Sequence, residues 1–138
     1  MNAVVVSLLV VTIAAGWTTY RTERGGFSLE HPSTWTVHER ADARGVLVTT
    51  FTAPQGAGVT VLVEPRASSP PENDDVMNTR CHDVTISGLP GRTCLDTISS
   101  SLSTTVVSGD KMYRIMGSRR RSDPAIYDHV VASFHIFP

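Results

Sequence analysis

The 138-residue sequence contains no Cys-x-x-Cys pair, no His-x-x-x-His pair and no Gly-x-Ser-x-Gly elbow. The first two absences remove the usual spacings of zinc sites. The third removes the strained strand-to-helix turn that exposes the nucleophilic serine of α/β-hydrolases. Lysine is almost missing, with Lys111 set against eleven arginines. The net charge is −1, which argues against a general polyanion-binding role and against a nucleic-acid partner. Cysteine is limited to Cys81 and Cys94. No internal repeat or low-complexity tract interrupts the chain.

The one long uncharged apolar run, Ala3 to Ala15, spans 13 residues. A membrane-crossing helix needs about 20, so the run fits the apolar region of a signal peptide. Ala14-Ala15-Gly16 places small residues before Trp17 for cleavage, while Met1-Asn2 lacks the usual basic start. Residues 1–16 therefore read as a signal peptide or an uncleaved N-terminal anchor, with a buried Val-rich strand as the alternative. Residues 17–138 then form one domain, long enough for its own core. Either reading of the leader implies an exported protein: secreted, periplasmic or anchored on the outer face.

Within that domain, Phe27, Leu29 and His31 alternate with Ser28 and Glu30, as in a half-buried strand that Pro32 ends. Trp17 to Gly26 reads as a polar approach segment. Strands follow over Trp35–Arg40, Val46–Thr52 and Val59–Glu64, the last two apolar on both faces like central strands covered on two sides. Gly56-Ala57-Gly58 precedes a strand and not a helix, so it reads as a hairpin turn and not a phosphate loop. Pro65 to Asp75 is a polar loop. A turn centred on Ser87-Gly88 sets Cys81 directly opposite Cys94, and in an exported chain such a pair is expected to be oxidised. Leu102–Val107 and Met112–Gly117 form another hairpin, with Tyr113 and Ile115 on one face. Ser122-Asp123-Pro124 starts a helix whose apolar stripe is Ile126, Val130, Val131 and Phe134, and His135-Ile136-Phe137 leaves it as a short strand. Trp35 and Phe134 are expected in one core. The fold class is α+β: an antiparallel sheet of six or seven strands with a C-terminal amphipathic helix on one face.

Three segments together resemble PsbP-like domains, the superfamily of the photosystem II oxygen-evolving subunit PsbP, in a bacterial-type exported form. They are Gly26-Phe27 leading to Pro32-Ser33-Thr34-Trp35, the Val84–Gly91 hairpin followed by Gly109-Asp110-Lys111-Met112-Tyr113, and the closing helix with Ser133-Phe134. The resemblance implies a non-enzymatic binding or assembly module without a cofactor, acting on a protein or another envelope component. It does not imply photosynthesis. The family often carries a helix after the fourth strand, where this chain has only the Pro-rich loop, so one covering layer is expected to be thin or missing.

Few residues suggest chemistry. The five histidines, His31, His38, His82, His129 and His135, have no metal-ligand spacing, although His31 and His38 flank one corner near Glu30 and Glu39. Cys81-His82 cannot act as a dyad, because consecutive strand residues face opposite ways. Arg119, Arg120 and Arg121 form the one basic cluster and the candidate contact for an anionic partner. The competing readings are a small envelope hydrolase with a dispersed Ser/His/Asp site and a membrane-anchored surface protein.

Overall fold

The structure is a computed structural model that describes residues 16–66, 78–118 and 123–138. Nearly all of the expected leader, most of the polar loop, and Arg119, Arg120 and Arg121 lie outside the described residues. The elements follow in the order β1 Trp17–Thr22, β2 Phe27–Pro32, β3 Thr36–Ala41, β4 Leu47–Thr52, β5 Gly58–Pro65, β6 Thr79–Ile86, β7 Leu89–Asp96, β8 Ser101–Ser108, β9 Lys111–Ser118, α1 Pro124–Ser133 and β10 His135–Ile136. They build a 7-stranded sheet, β3-β4-β5-β9-β8-β7-β6, and a 3-stranded sheet, β1-β2-β10. Both sheets are antiparallel throughout. The large sheet and the closing helix agree with the expected α+β class, and the small sheet is an addition.

The approach segment read as irregular is β1. Its polar residues conceal two anchors: Thr22 is buried, and the Tyr20 ring meets Phe51 edge-on at 5.3 Å. The Tyr20 hydroxyl then donates to Glu39 Oε1 at 2.8 Å, which ties β1 to β3 of the other sheet. β2 pairs with β1 on one side and with β10 on the other, where Phe27 faces Ile136.

β4 and β5 are central strands, but one expectation for them fails: they are fully buried on one face only. Leu47, Thr49 and Phe51 alternate with half-buried neighbours, as do Val59, Val61 and Val63. The small sheet and α1 both lie over that inner face. The outer face carries Leu62, Arg114 and Met116 among threonines and serines, with Arg114 Nη1 and Glu64 Oε2 at 3.9 Å. The apolar outer positions of β4 and β5 thus line a partly exposed sheet surface.

Trp35 and Phe134 do share one core. At its centre Phe27, fully buried, stacks on Phe134 with ring centroids 5.1 Å apart. Asp123 caps α1 by accepting from the Ala125 N–H, with Pro124 at the first helical position. Tyr127, absent from the expected stripe, heads it: Tyr127, Val130, Val131 and Phe134 fall at i, i+3, i+4 and i+7, and Tyr127 is buried.

In the β6–β7 hairpin Ser87 and Gly88 both have positive φ, 54° and 77°, as a type I′ turn requires. That turn pairs Ile86 with Leu89 and brings Cys81 opposite Cys94, where they are joined by a disulfide across a Cα–Cα distance of 4.0 Å.

Candidate functional site

Among the described residues the inner layer is narrower than the sheet it covers. Contacts from Tyr20 and Phe27 place the small sheet over β3, β4 and β9. Contacts from Tyr127 place α1 over β8 and β9. Beyond α1 a cleft of about 480 Å³ opens against β6, β7 and β8. Register explains its lining, because the cross-strand pair Leu95–Leu102 and, farther along β6, Val84 all take inward positions. Val131 of α1 supplies the facing apolar wall, and exposed Arg80, His82 and Asp128 line it beside these groups. A volume of this order suits a small molecule or an apolar anchor of a partner.

A hydrogen-bonded chain runs beneath the cleft. Tyr127 OH donates to the Ile115 carbonyl at 2.9 Å, Thr104 Oγ1 lies 2.7 Å from that hydroxyl, and Thr93 Oγ1 lies 2.9 Å from Thr104. A carbonyl only accepts, so the direction is set along the whole chain: Thr104 donates to Tyr127, and Thr93 donates to Thr104. Burial pushes the Tyr127 phenol up to about 12, with the bond from Thr104 acting in the opposite direction.

Gly117 makes room for this arrangement. A Cβ there would stand 2.7 Å from Tyr127 Cδ1 and 3.0 Å from Cε1. Gly117→Ala is therefore expected to displace the ring and to destabilise the fold by about 1–3 kcal/mol, the usual range for overpacking. Urea unfolding of the variant against wild type measures the loss.

All 3 tyrosines of the chain resist ionisation. Burial leads in each case: Tyr20 is pushed up to about 12 with help from Glu39, and Tyr113 is raised with help from Asp110. A phenol whose folded pKa exceeds its unfolded value stabilises the fold fully below the unfolded value, near 10, and loses that contribution as pH rises through the folded one. Stability should thus fall between about pH 10 and 12. The ultraviolet absorbance of tyrosinate should rise together with unfolding. A full phenolate step near pH 10 in a still-folded chain would contradict this reading.

The histidines are dispersed. His31 is buried, with Nδ1 2.8 Å from the Pro32 carbonyl, whereas exposed His38 shares the outer face of β3 and β4 with Thr50. The corner therefore does not bring His31 and His38 together. His129 stacks on Trp17 at 3.7 Å, and its Nε2 lies 2.7 Å from Glu30 Oε1, which fastens the start of β1 to α1. Among the described residues no group of three His, Cys, Asp or Glu side chains is placed to hold a metal ion.

Among the described residues one Ser–His side-chain hydrogen bond is present, Ser87 Oγ to His135 Nδ1 at 3.2 Å. The same Oγ accepts from the Ile136 N–H at 3.0 Å and lies 3.4 Å from the Ile136 carbonyl. Its bonds close the hairpin tip onto β10. On β6 His82 stands opposite inward-facing Thr93, and Cys81 stands opposite Cys94 in its cystine, so the two side chains alternate in face. The Arg119–Arg121 run joins β9 to α1 in sequence and lies outside the described residues.

Sequence reasoning missed Arg80, Thr93, Thr104 and Tyr127 as a set. The signal was present only in part: the hairpin register already places Thr93 beside the cystine, but the Thr93–Thr104 pairing also needs the β7–β8 register.

The sequence matches no family model and no curated protein. Among solved structures, the solution structure of cyanobacterial PsbP (CyanoP) from Synechocystis sp. PCC 6803 is similar at a TM-score of 0.61. The match covers 89% of this chain and 94% of that one at 14% identity, which speaks to architecture alone. With its two antiparallel sheets and its closing helix, the chain has the PsbP-like fold.

Proposed function

We propose that the chain is a non-catalytic, extracytoplasmic binding or assembly module that works through the cleft between α1 and β6–β8. The observation that carries this reading is the cleft itself, which among the described residues sets apolar walls beside the exposed side chains of Arg80, His82 and Asp128. The Cys81–Cys94 cystine supports the compartment, since structural disulfides persist in oxidising surroundings. The fold supports a binding role by analogy. Arg119, Arg120 and Arg121 are proposed as the contact to an anionic envelope partner, next to the helix that borders the cleft.

The test is retention of envelope-extract components on the immobilised full chain. Wild type is compared with Ala132→Trp, which fills the cleft from an exposed position, and with a triple Arg→Ser variant of residues 119–121. Each variant should lose a component that soluble wild-type chain competes off. Retention through the arginines should also collapse as salt shortens the Debye length from about 10 Å at 0.1 M to about 3 Å at 1 M. Equal retention by Ala132→Trp with its fold intact rejects the cleft, and equal retention by the arginine variant rejects the anionic contact.

A further inference from the structure

The Thr93–Thr104–Tyr127 chain constrains what the cleft can hold. The Ile115 carbonyl at its end takes the tyrosine proton, and this fixes where every other hydroxyl proton goes. The proton of Thr93 is committed to Thr104, so Thr93 offers only lone pairs to anything that enters. Thr93 lines the cleft, where Leu95, Leu102 and Val131 carry no side-chain polar atom and His82 stands directly opposite it on β6. The charged groups at the cleft, Arg80 and Asp128, are of opposite sign and cancel formally.

We infer that the cleft takes a small neutral amphipathic ligand with an apolar body and one hydroxyl or amide N–H, which donates to Thr93 Oγ1. This inference rests on the cleft being the binding site, and it adds the polarity of the ligand. An acceptor-only ligand, such as an ether or an ester without a hydroxyl, would set lone pairs against lone pairs at Thr93. It would also displace any water donating there without replacing the bond. A strong anion or cation would meet one charge of each sign at the cleft, Arg80 and Asp128. An ether and its parent alcohol bury almost the same apolar surface, so the donor alone separates them.

The test uses matched pairs on the full chain: naphthol with naphthyl methyl ether, phenylphenol with methoxybiphenyl, and benzyl alcohol with benzyl methyl ether. Binding is followed by backbone amide shifts in nuclear magnetic resonance titrations. The alcohols should shift the amides of Thr93, Leu102 and Val131 saturably, and each ether should bind about tenfold more weakly, the usual net effect of one hydrogen bond. Thr93→Val, which keeps the shape and removes the hydroxyl, should bring each alcohol down to its ether. Thr93→Ser should preserve the difference and control for perturbation of the fold. Ethers binding as tightly as alcohols, or discrimination that survives Thr93→Val, would overturn the donor rule. No saturable shift of cleft amides by any alcohol would overturn it as well. The wider binding reading is judged separately, by whether envelope retention still depends on Ala132.

Discussion

Phe27→Ala is expected to destabilise the chain by about 3–5 kcal/mol, as truncation of a buried phenylalanine usually does. The ring is fully buried and stacked 5.1 Å from Phe134, and it meets Tyr113 edge-on at 6.4 Å. Three elements therefore lose a common contact at once: β2, β9 and the end of α1. Close packing on every side leaves little room for relaxation, so the cavity adds to the lost transfer free energy. A domain of this size should lose on the order of 10–20 °C in its thermal midpoint. Thr36→Ala, at an exposed position, is the control. A Phe27→Ala shift no larger than that control would contradict a core shared by the helix and both sheets.

Replacing Cys81 and Cys94 together by alanine is expected to cost about 3 kcal/mol in the chain-entropy account, for a loop with a sequence separation of 13. The signature distinguishes this loss from that of Phe27→Ala. Removing a cross-link expands the unfolded ensemble, so the dependence of stability on denaturant should steepen as the midpoint falls. The cavity variant should move the midpoint alone. β6 is the edge strand of the large sheet and one wall of the cleft, so its amides should exchange faster once the cystine is gone. An unchanged midpoint in the double variant would show that the β6–β7 ladder is sufficient by itself.

The hairpin and its cystine were legible in the sequence because their geometry is local. Two residues with positive φ set the turn, the turn sets the register, and the register places Cys81 against Cys94. The helix was legible for the same reason, through Asp123, Pro124 and a period of 3.6. The division into two sheets was not legible. Alternation in β2 reports a half-buried strand and says nothing about which strand lies beside it. β5 pairs with β9 across three intervening strands, and only tertiary packing decides such a pairing. The cleft was hidden by the same cause, since β6, β7, β8 and α1 each supply part of it. Tyr127 was passed over because a tyrosine reads as amphipathic, and its hydroxyl finds a carbonyl only once β9 is in place.

The assembly of β2 bears on when the protein becomes folded during its synthesis. Ser133 Oγ takes the Glu30 N–H across 103 residues, and β10 provides the second neighbour of β2. Contacts so distant in sequence form late, because loop-closure entropy is met before they contribute anything. Until α1 and β10 have been synthesised, β2 has β1 beside it and no β10 on its other edge. Phe27 then lacks the ring it stacks on. Folding of this domain is therefore completed only after α1 and β10 have emerged.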